Sequence, residues 1–469
     1  MTVGQNRSLE DMDRGAVLHP FTRVDDYAAG RTPTPFIVAS GAGVRVKDQN
    51  GRDLIDAFSS LYCVNVGYGQ QRIIDAMHAQ TSAMPYFHVF AGVTHEPAIR
   101  LADELLRLAG PSMKRVFFGL SGSDANDTQV KLVWYANNAR GMPDKKKIIA
   151  RRRGYHGATI VTASLTGLPI YHQGFDLVSN FVRHTRAPDL FWSEDSDAAT
   201  FVRRCADELE ALILEEGPDT VAAFIAEPMI GAGGAVPPPP GYWAAIQTVL
   251  RRYDVLLILD EVVTAFGRVG HMFSMEKWGI EPDLVTLAKG LTSGYAPLSA
   301  ILVGEKVWDA LQLGAVKHGM FGHGFTYTAH PLGAAAALAN IAIIENDGLC
   351  LNARVVGERL FGALRAKFEG APLVGQVRGE GLFGAVEFVA DGAPQRHLDT
   401  SLRFAGRVTT LAREEGVLVR TMPYGDIVGL APPLILTPED ADEIVDRLWR
   451  AYERALAELT PAQRAGAAS

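Results

Sequence analysis

The chain has 469 residues, 48% hydrophobic and 21% charged, the composition of a globular protein with a large core. A formal net charge of −8 and a pI near 5.9 argue against a general polyanion binder, so no nucleic-acid partner is expected. Cys63, Cys205 and Cys350 lie far apart and match no disulfide or metal-ligand spacing, which fits a reducing cytoplasm and predicts no metal site.

Met1 to Gly15 is polar and mixed in charge, so no secretory signal is expected. Residues 36–66 read as short strands and turns, with Asn50-Gly51 as a hairpin signal. From about residue 70, helical and strand-like stretches alternate. Apolar, β-rich runs at 115–119, 147–150, 221–226, 255–259, 284–287 and 299–303 predict a mainly parallel sheet covered on both faces. The basic residues 145–147 and 151–153 flank a strand-like IIA and read as a solvated loop edge. Gly231-Ala-Gly-Gly and the prolines 237–240 form a loop. An Ala-rich helix follows Pro331, and no apolar stretch is long enough to span a bilayer, so no membrane association is expected. Beyond about residue 335 come a strand-like VRGEGLFGAVEFV, a helix near 400–415, a strand VLVRT and a final amphipathic helix. Thr437 is placed to cap that last helix, with Pro438 at its first position and Asp440 in a capping box. This part reads as a smaller α+β domain.

Several motifs fail on context. Gly379-Glu-Gly-Leu-Phe-Gly384 matches GxGxxG, but a strand follows where a dinucleotide site needs a helix. There is no GxxxxGK[ST] and no GxSxG, and His95-Glu96 begins an HExxH without its second histidine.

The segments VLLILDEVV and PDLVTLAKG put Asp260 and Lys289 at the exits of two apolar strands. Charges there need a partner or a shifted pKa. One reading is a salt bridge capping a sheet. The other is a cofactor held between them, Lys289 forming a Schiff base and Asp260 facing a pyridinium nitrogen. Ser121-Gly122-Ser123-Asp124, ahead of an amphipathic helix, offers N–H donors to a phosphate or simply caps that helix. Tyr155-His156-Gly157 follows another strand, where an aromatic can stack on a flat ring or pack in the core. Thr326, in GHGFTYTAHP, can donate a hydroxyl to an anion.

Taken in order, SGSDANDTQVKL, YHGAT, AEPMIGAGG, LDEVVTAFGRVG, LAKGLTSGYAPL and HGFTYTAHPLG resemble the class III aminotransferases of pyridoxal 5'-phosphate fold type I. The resemblance runs from about Phe21 to Leu436 and is nearest the ω-amino acid and amine:pyruvate transaminases. It implies an α/β fold: an N-terminal segment 1–65, a large cofactor domain 66–334 with a mainly parallel seven-stranded sheet, and a small α+β domain 335–469. It implies that Lys289 bonds the cofactor covalently and then moves the proton between substrate carbon and cofactor. Asp260 keeps the pyridine nitrogen protonated. Ser121, Gly122, Ser123, Tyr155, His156, Glu227, Val262 and Phe325 are the remaining cofactor contacts that it implies. Thr326 reaches the phosphate of a neighbouring subunit, which implies a homodimer with shared sites and leaves open whether dimers pair into tetramers. Phe21, Leu61, Tyr62, Phe90 and Ala158 fall where the family lines its substrate pocket, and Arg420 matches a mobile arginine that binds keto-acid carboxylates. Many relatives carry tryptophan where this chain has Tyr62, which bears on the choice of amine.

The expected reaction is a ping-pong transfer from an ω-amino acid, diamine or primary amine to an α-keto acid, with pyruvate as the expected acceptor. The competing readings are a decarboxylase or aminomutase on the same scaffold, and a non-enzymatic protein in which Asp260 and Lys289 form a buried ion pair.

Overall fold

A computed structural model describes residues 7–32, 35–195, 197–391 and 395–464. Strands β1 (Val38–Ala42), β2 (Arg45–Asp48) and β3 (Asp53–Asp56) form an antiparallel meander near the N-terminus. Its β2–β3 turn contains Asn50-Gly51 as expected, with Gly51 at φ +79°. The Asp48 carboxylate holds that turn by accepting from the N–H groups of Asn50 and Arg52, both at 2.9 Å.

The central sheet has seven strands: β4 (Met113–Gly119), β5 (Lys147–Arg151), β6 (Val182–Thr185), β7 (Val221–Ala226), β8 (Leu256–Asp260), β9 (Leu284–Leu287) and β10 (Ser299–Gly304). Their spatial order is β4-β10-β9-β8-β7-β5-β6. Only β10 runs against its neighbours. Every residue of β7 to β10 is buried, which explains their unbroken apolar runs. Alternate side chains serve two cores. Ile225 and Ile258 pack with Val130 and Val133 of the helix Gly122–Ala139, whereas Phe224 and Leu257 join the larger core with Trp243 and Ile246. The short polar strand β6, VRHT in sequence, carries no apolar run and was not anticipated.

The C-terminal part holds an antiparallel sheet of β11 (Val374–Glu380), β12 (Phe383–Phe388), β15 (Asp426–Leu430) and β14 (Arg420–Thr421), in that order. The long C-terminal helix, Pro438–Ala457, has the expected Thr437 cap and Asp440 capping box, and a short helical turn, Pro461–Arg464, follows it. The glycines of GEGLFG serve packing: a Cβ at Gly379 or Gly384 would lie 2.5 or 2.4 Å from the Phe361 ring. The strand expected over VLVRT divides at Val419. Its first piece, β13 (Val417–Leu418), pairs in parallel with β3, and its second is β14 in the other sheet. This switch ties the N-terminal meander to the C-terminal part and sets Arg420 at the junction.

The basic residues around β5 are only partly a solvated edge: Arg152 is exposed and Lys146 and Lys147 are half-buried. Lys145, Arg151 and Arg153 are buried. Lys145 donates to the Tyr253 carbonyl at 3.0 Å, Arg151 to the Glu227 carbonyl, and Arg153 pairs with Asp189. Sequence charge alone cannot register carbonyls supplied by distant segments.

Candidate active site

Asp260 ends β8, and Lys289 follows the neighbouring parallel strand β9, so both stand at the same carboxyl edge of the sheet. Such an edge is where open α/β sheets bind ligands. The chain turns sharply after β9 into a 3-10 turn, Lys289–Leu291, with Lys289 at φ +33°. No ion pair joins the two residues. Among the described residues nothing hydrogen-bonds the Lys289 Nζ, which lies 5.9 Å over the Tyr62 ring. Desolvation pulls its pKa below the ordinary lysine value, against the smaller opposing pull of Cys63, Asp260 and Glu227. That direction favours the neutral, nucleophilic form of the amine.

Asp260 is 4% exposed. Its Oδ2 accepts from His156 Nδ1 and Asn126 Nδ2, both at 2.9 Å, and its Oδ1 from the Val262 N–H at 3.1 Å. Asn126 is itself fixed: its Nδ2 also donates to the His156 carbonyl at 2.8 Å, and its Oδ1 accepts from Thr286 at 2.6 Å. The salt-bridge reading therefore fails on geometry. The carboxylate is oriented by His156, Asn126 and the Val262 N–H, and a cavity separates it from the lysine.

That cavity, of about 540 Å³, is within the range of cofactor and small-molecule sites. At one end, Ser121 caps the helix Gly122–Ala139 and forms a capping box with Asp124. The N–H groups of Gly122 and Ser123 face no described acceptor, as expected for the first turn of a helix. A Cβ at Gly122 would meet Val262 at 3.0 Å, so glycine keeps this helix end open. Tyr155 and His156 follow β5. Glu227, fully desolvated with its pKa raised by that burial, accepts from the N–H groups of Tyr155 at 3.1 Å and Gly231 at 2.7 Å. Tyr155 packs against Tyr171, and Tyr171 against Phe21, with ring centroids 5.0 Å apart in each pair.

Opposite lie Leu61, Tyr62 and Arg420. The Tyr62 ring is wedged against Phe58 and Phe383. The Arg420 guanidinium lies 5.7 Å over the Phe58 ring, and among the described residues no carboxylate pairs with it. Thus the cavity gathers Phe21, Leu61, Tyr62, Ser121, Gly122, Ser123, Tyr155, His156, Glu227, Asp260, Val262, Lys289 and Arg420.

Four expected residues do not line it. Phe90 is 43% exposed, on a segment packed against Gly324. Phe325 donates its N–H to Thr328 at 2.9 Å, and the Thr326 carbonyl accepts from Tyr86 at 2.5 Å, both on that outer segment. Ala158 is exposed and reaches the site only by donating its N–H to Ser123 Oγ at 3.1 Å. Sequence reasoning missed Cys63, Asn126 and Tyr171 in the lining. Asn126 sits three residues after Ser123 on the same helix, one turn on, which is a usable signal. Tyr171 arrives on the 3-10 turn Pro169–Tyr171 and had none.

A profile of the class-III aminotransferases matches residues 26–452. The chain is 49% identical to a diaminobutyrate–2-oxoglutarate transaminase of Halomonas elongata over 97% of this chain and 98% of that protein. It is 44% identical to a mitochondrial γ-aminobutyrate transaminase of Solanum lycopersicum over 90% and 82% of the two chains. Among solved structures, a transaminase obtained by ancestral reconstruction superposes with a TM-score of 0.94 at 50% identity, covering 96% and 99%. The ω-transaminase of Pseudomonas jessenii in complex with PMP gives 0.92 at 41% identity, also covering 96% and 99%.

Proposed function

The chain belongs to the class-III aminotransferases, pyridoxal 5'-phosphate enzymes with an amine donor and a keto-acid acceptor, and from that premise we propose its subtype and the work of its residues. It takes an amino group from an ω-amino acid, a diamine or a primary amine and passes it to a small α-keto acid, pyruvate foremost, in a ping-pong cycle.

When bound, the cofactor supplies a carbonyl carbon for the amino group and a ring that accepts the electron pair of a broken C–H bond. The residues present fit it. N–H groups at Gly122 and Ser123 and an amine at Lys289, all without a partner among the described residues, suit its phosphate and its carbonyl carbon, and the Asp260 carboxylate suits the pyridine nitrogen. On this reading Lys289 would make the covalent link through its Nζ, whose lowered pKa favours the nucleophilic form, and would later hold the migrating proton on that atom. Asp260 holds the proton of the ring nitrogen, with His156, Asn126 and Val262 fixing its carboxylate. Tyr155 would cover a ring face, and Glu227 keeps the Tyr155 backbone in place.

The observation that carries the acceptor half is Arg420: a guanidinium lining the cavity with no acidic partner among the described residues is a ready clamp for a carboxylate. Relatives named for diaminobutyrate and γ-aminobutyrate support a donor with a terminal amine. The first of them is also named for 2-oxoglutarate, which makes that acid the rival acceptor. A donor panel run against each acid decides, read by alanine or glutamate formation with carbon dioxide monitored. Alanine formation that exceeds glutamate formation is expected. Glutamate in excess would refute pyruvate as the main acceptor, and carbon dioxide released with the amine would refute simple transamination.

We read the outer segment bearing Thr326 as covered by a second copy that shares its site. The support is its exposed apolar surroundings, with Met320, Tyr327 and Phe87 at 89%, 53% and 47% exposure. A dimer in solution is expected, and a monomer at assay concentration would refute the reading.

A further inference from the structure

The loop after β3 is bent against its own backbone. Ser59, Ser60 and Tyr62 have φ of +47°, +59° and +63°, and Ser60 combines this with ψ −89°. Three positive φ values among four consecutive non-glycine residues are costly and persist only where surrounding contacts over-determine them. This same loop brings Leu61, Tyr62 and Cys63 to the cavity wall, and its Phe58 ring underlies Arg420.

The contact that imposes the bend is Asp56, 2% exposed at the end of β3. Its Oδ1 accepts from the Phe58 N–H at 3.0 Å. Its Oδ2 accepts from the Ser60 N–H and from the Tyr68 hydroxyl, each at 2.6 Å. The two backbone N–H groups, one on each oxygen, can only donate, and a carboxylate accepts both of them together with the hydroxyl. Ser59 anchors the other side, donating to the Ala431 carbonyl at 2.7 Å and accepting from Arg268 at 3.2 Å.

We propose that Asp56 is a positioning residue for donor selectivity, holding the bent loop in the shape that presents Leu61, Tyr62 and Cys63 to the donor. Asp56 does not line the cavity and acts wholly through the loop. The inference rests on the donor reading above only for the choice of test amines.

The test uses the cofactor-loaded enzyme and the variants Asp56→Asn, Tyr68→Phe, Ser60→Gly and Asp56→Asn/Ser60→Gly. Asparagine puts an amide donor against an N–H or the hydroxyl, and Tyr68→Phe removes one contact should Asp56→Asn fold poorly. Glycine at position 60 relieves the strain that Asp56 otherwise restrains. The first readout is the ratio of kcat/KM for 1-phenylethylamine to that for 4-aminobutyrate. In Asp56→Asn this ratio should move about tenfold, the scale of one lost buried hydrogen bond, while cofactor absorbance per chain stays at the wild-type level. The double variant should recover most of the shift, a rescue that general destabilisation cannot give. The second readout is the rate of Cys63 alkylation by iodoacetamide, resolved by site and referred to Cys350, which should rise in Asp56→Asn and fall back in the double variant. An unchanged ratio with unchanged alkylation overturns the proposal, as does a uniform loss on both donors that follows loss of cofactor. If the wild type uses neither amine, the donor reading fails instead, and alkylation alone decides the role of Asp56.

Discussion

Replacing Asp260 removes the carboxylate that would hold the ring nitrogen on this reading. The structure gives the loss two parts. The first is internal: His156 Nδ1 and Asn126 Nδ2 lose their shared acceptor and the Val262 N–H loses Oδ1, with buried groups left unpaired at about 1–3 kcal/mol each. That part lowers stability and is visible in the melting of the cofactor-free protein. The second is the missing counter-charge for a protonated ring, about 3–5 kcal/mol if it resembles breaking a buried ion pair. At about 1.36 kcal/mol per tenfold, turnover in Asp260→Ala should fall by about two to four orders of magnitude. Asp260→Asn keeps the shape and separates the parts, since its amide oxygen still accepts from one or two donors while the charge is gone. Rapid mixing of each loaded variant with donor alone, followed by absorbance, reads the first half-reaction without the acceptor. Equal, near-wild-type rates, within about threefold, in both variants would refute the role assigned to Asp260, because that difference is under about 1 kcal/mol.

Arg420→Ala should raise the KM for the keto acid by about tenfold or more, the scale of a charge-assisted bond, while the half-reaction with an uncharged amine changes little. Steady-state kinetics with each substrate varied distinguishes this from a uniform loss. Lys289→Met should abolish the yellow, borohydride-trapped adduct. It should also change the pH dependence of stability in the cofactor-free protein. The fold depresses the Lys289 pKa, so the unfolded chain binds a proton that the fold resists, and the wild type gains stability as pH rises toward the ordinary lysine value of about 10.4. The variant should melt higher at neutral pH, with the advantage vanishing above that value; a constant offset across pH would contradict the shift. Gly122→Val, whose Cβ would meet Val262 at 3.0 Å, should weaken cofactor binding by about tenfold or more in an absorbance titration, the loss of about one hydrogen bond to the phosphate. Arg268→Met should lower stability by at least about 3 kcal/mol. Arg268 is fully buried, with its pKa pushed down to about 10 by that burial, and it serves Asn65 and Ser59 on one side and the carbonyls of Leu382 and Pro432 on the other. Denaturant unfolding of the cofactor-free chain measures the loss.

What the sequence by itself determined is local. Unbroken apolar runs mark strands buried on both faces, and these placed Asp260 and Lys289 at strand exits before any contact was known. The cap of Thr437 and the turn at Asn50-Gly51 belong to the same class, since each depends on residues within four positions. The order of the six motifs identified the family because spacing along the chain is a sequence property. What only the tertiary structure decided is pairing over distance. The donors that orient Asp260 come from His156 and Asn126, 104 and 134 residues away in the chain, and Ser59 is anchored by Ala431 from 372 residues away. The inward turn of Arg151 and Arg153, the split of VLVRT between two sheets and the clamp of Asp56 on a strained loop are of this kind. Hydrophobic periodicity records whether a side chain is buried, but a hydrogen bond needs a partner at a fixed distance and angle. That information exists only once the chain has closed on itself.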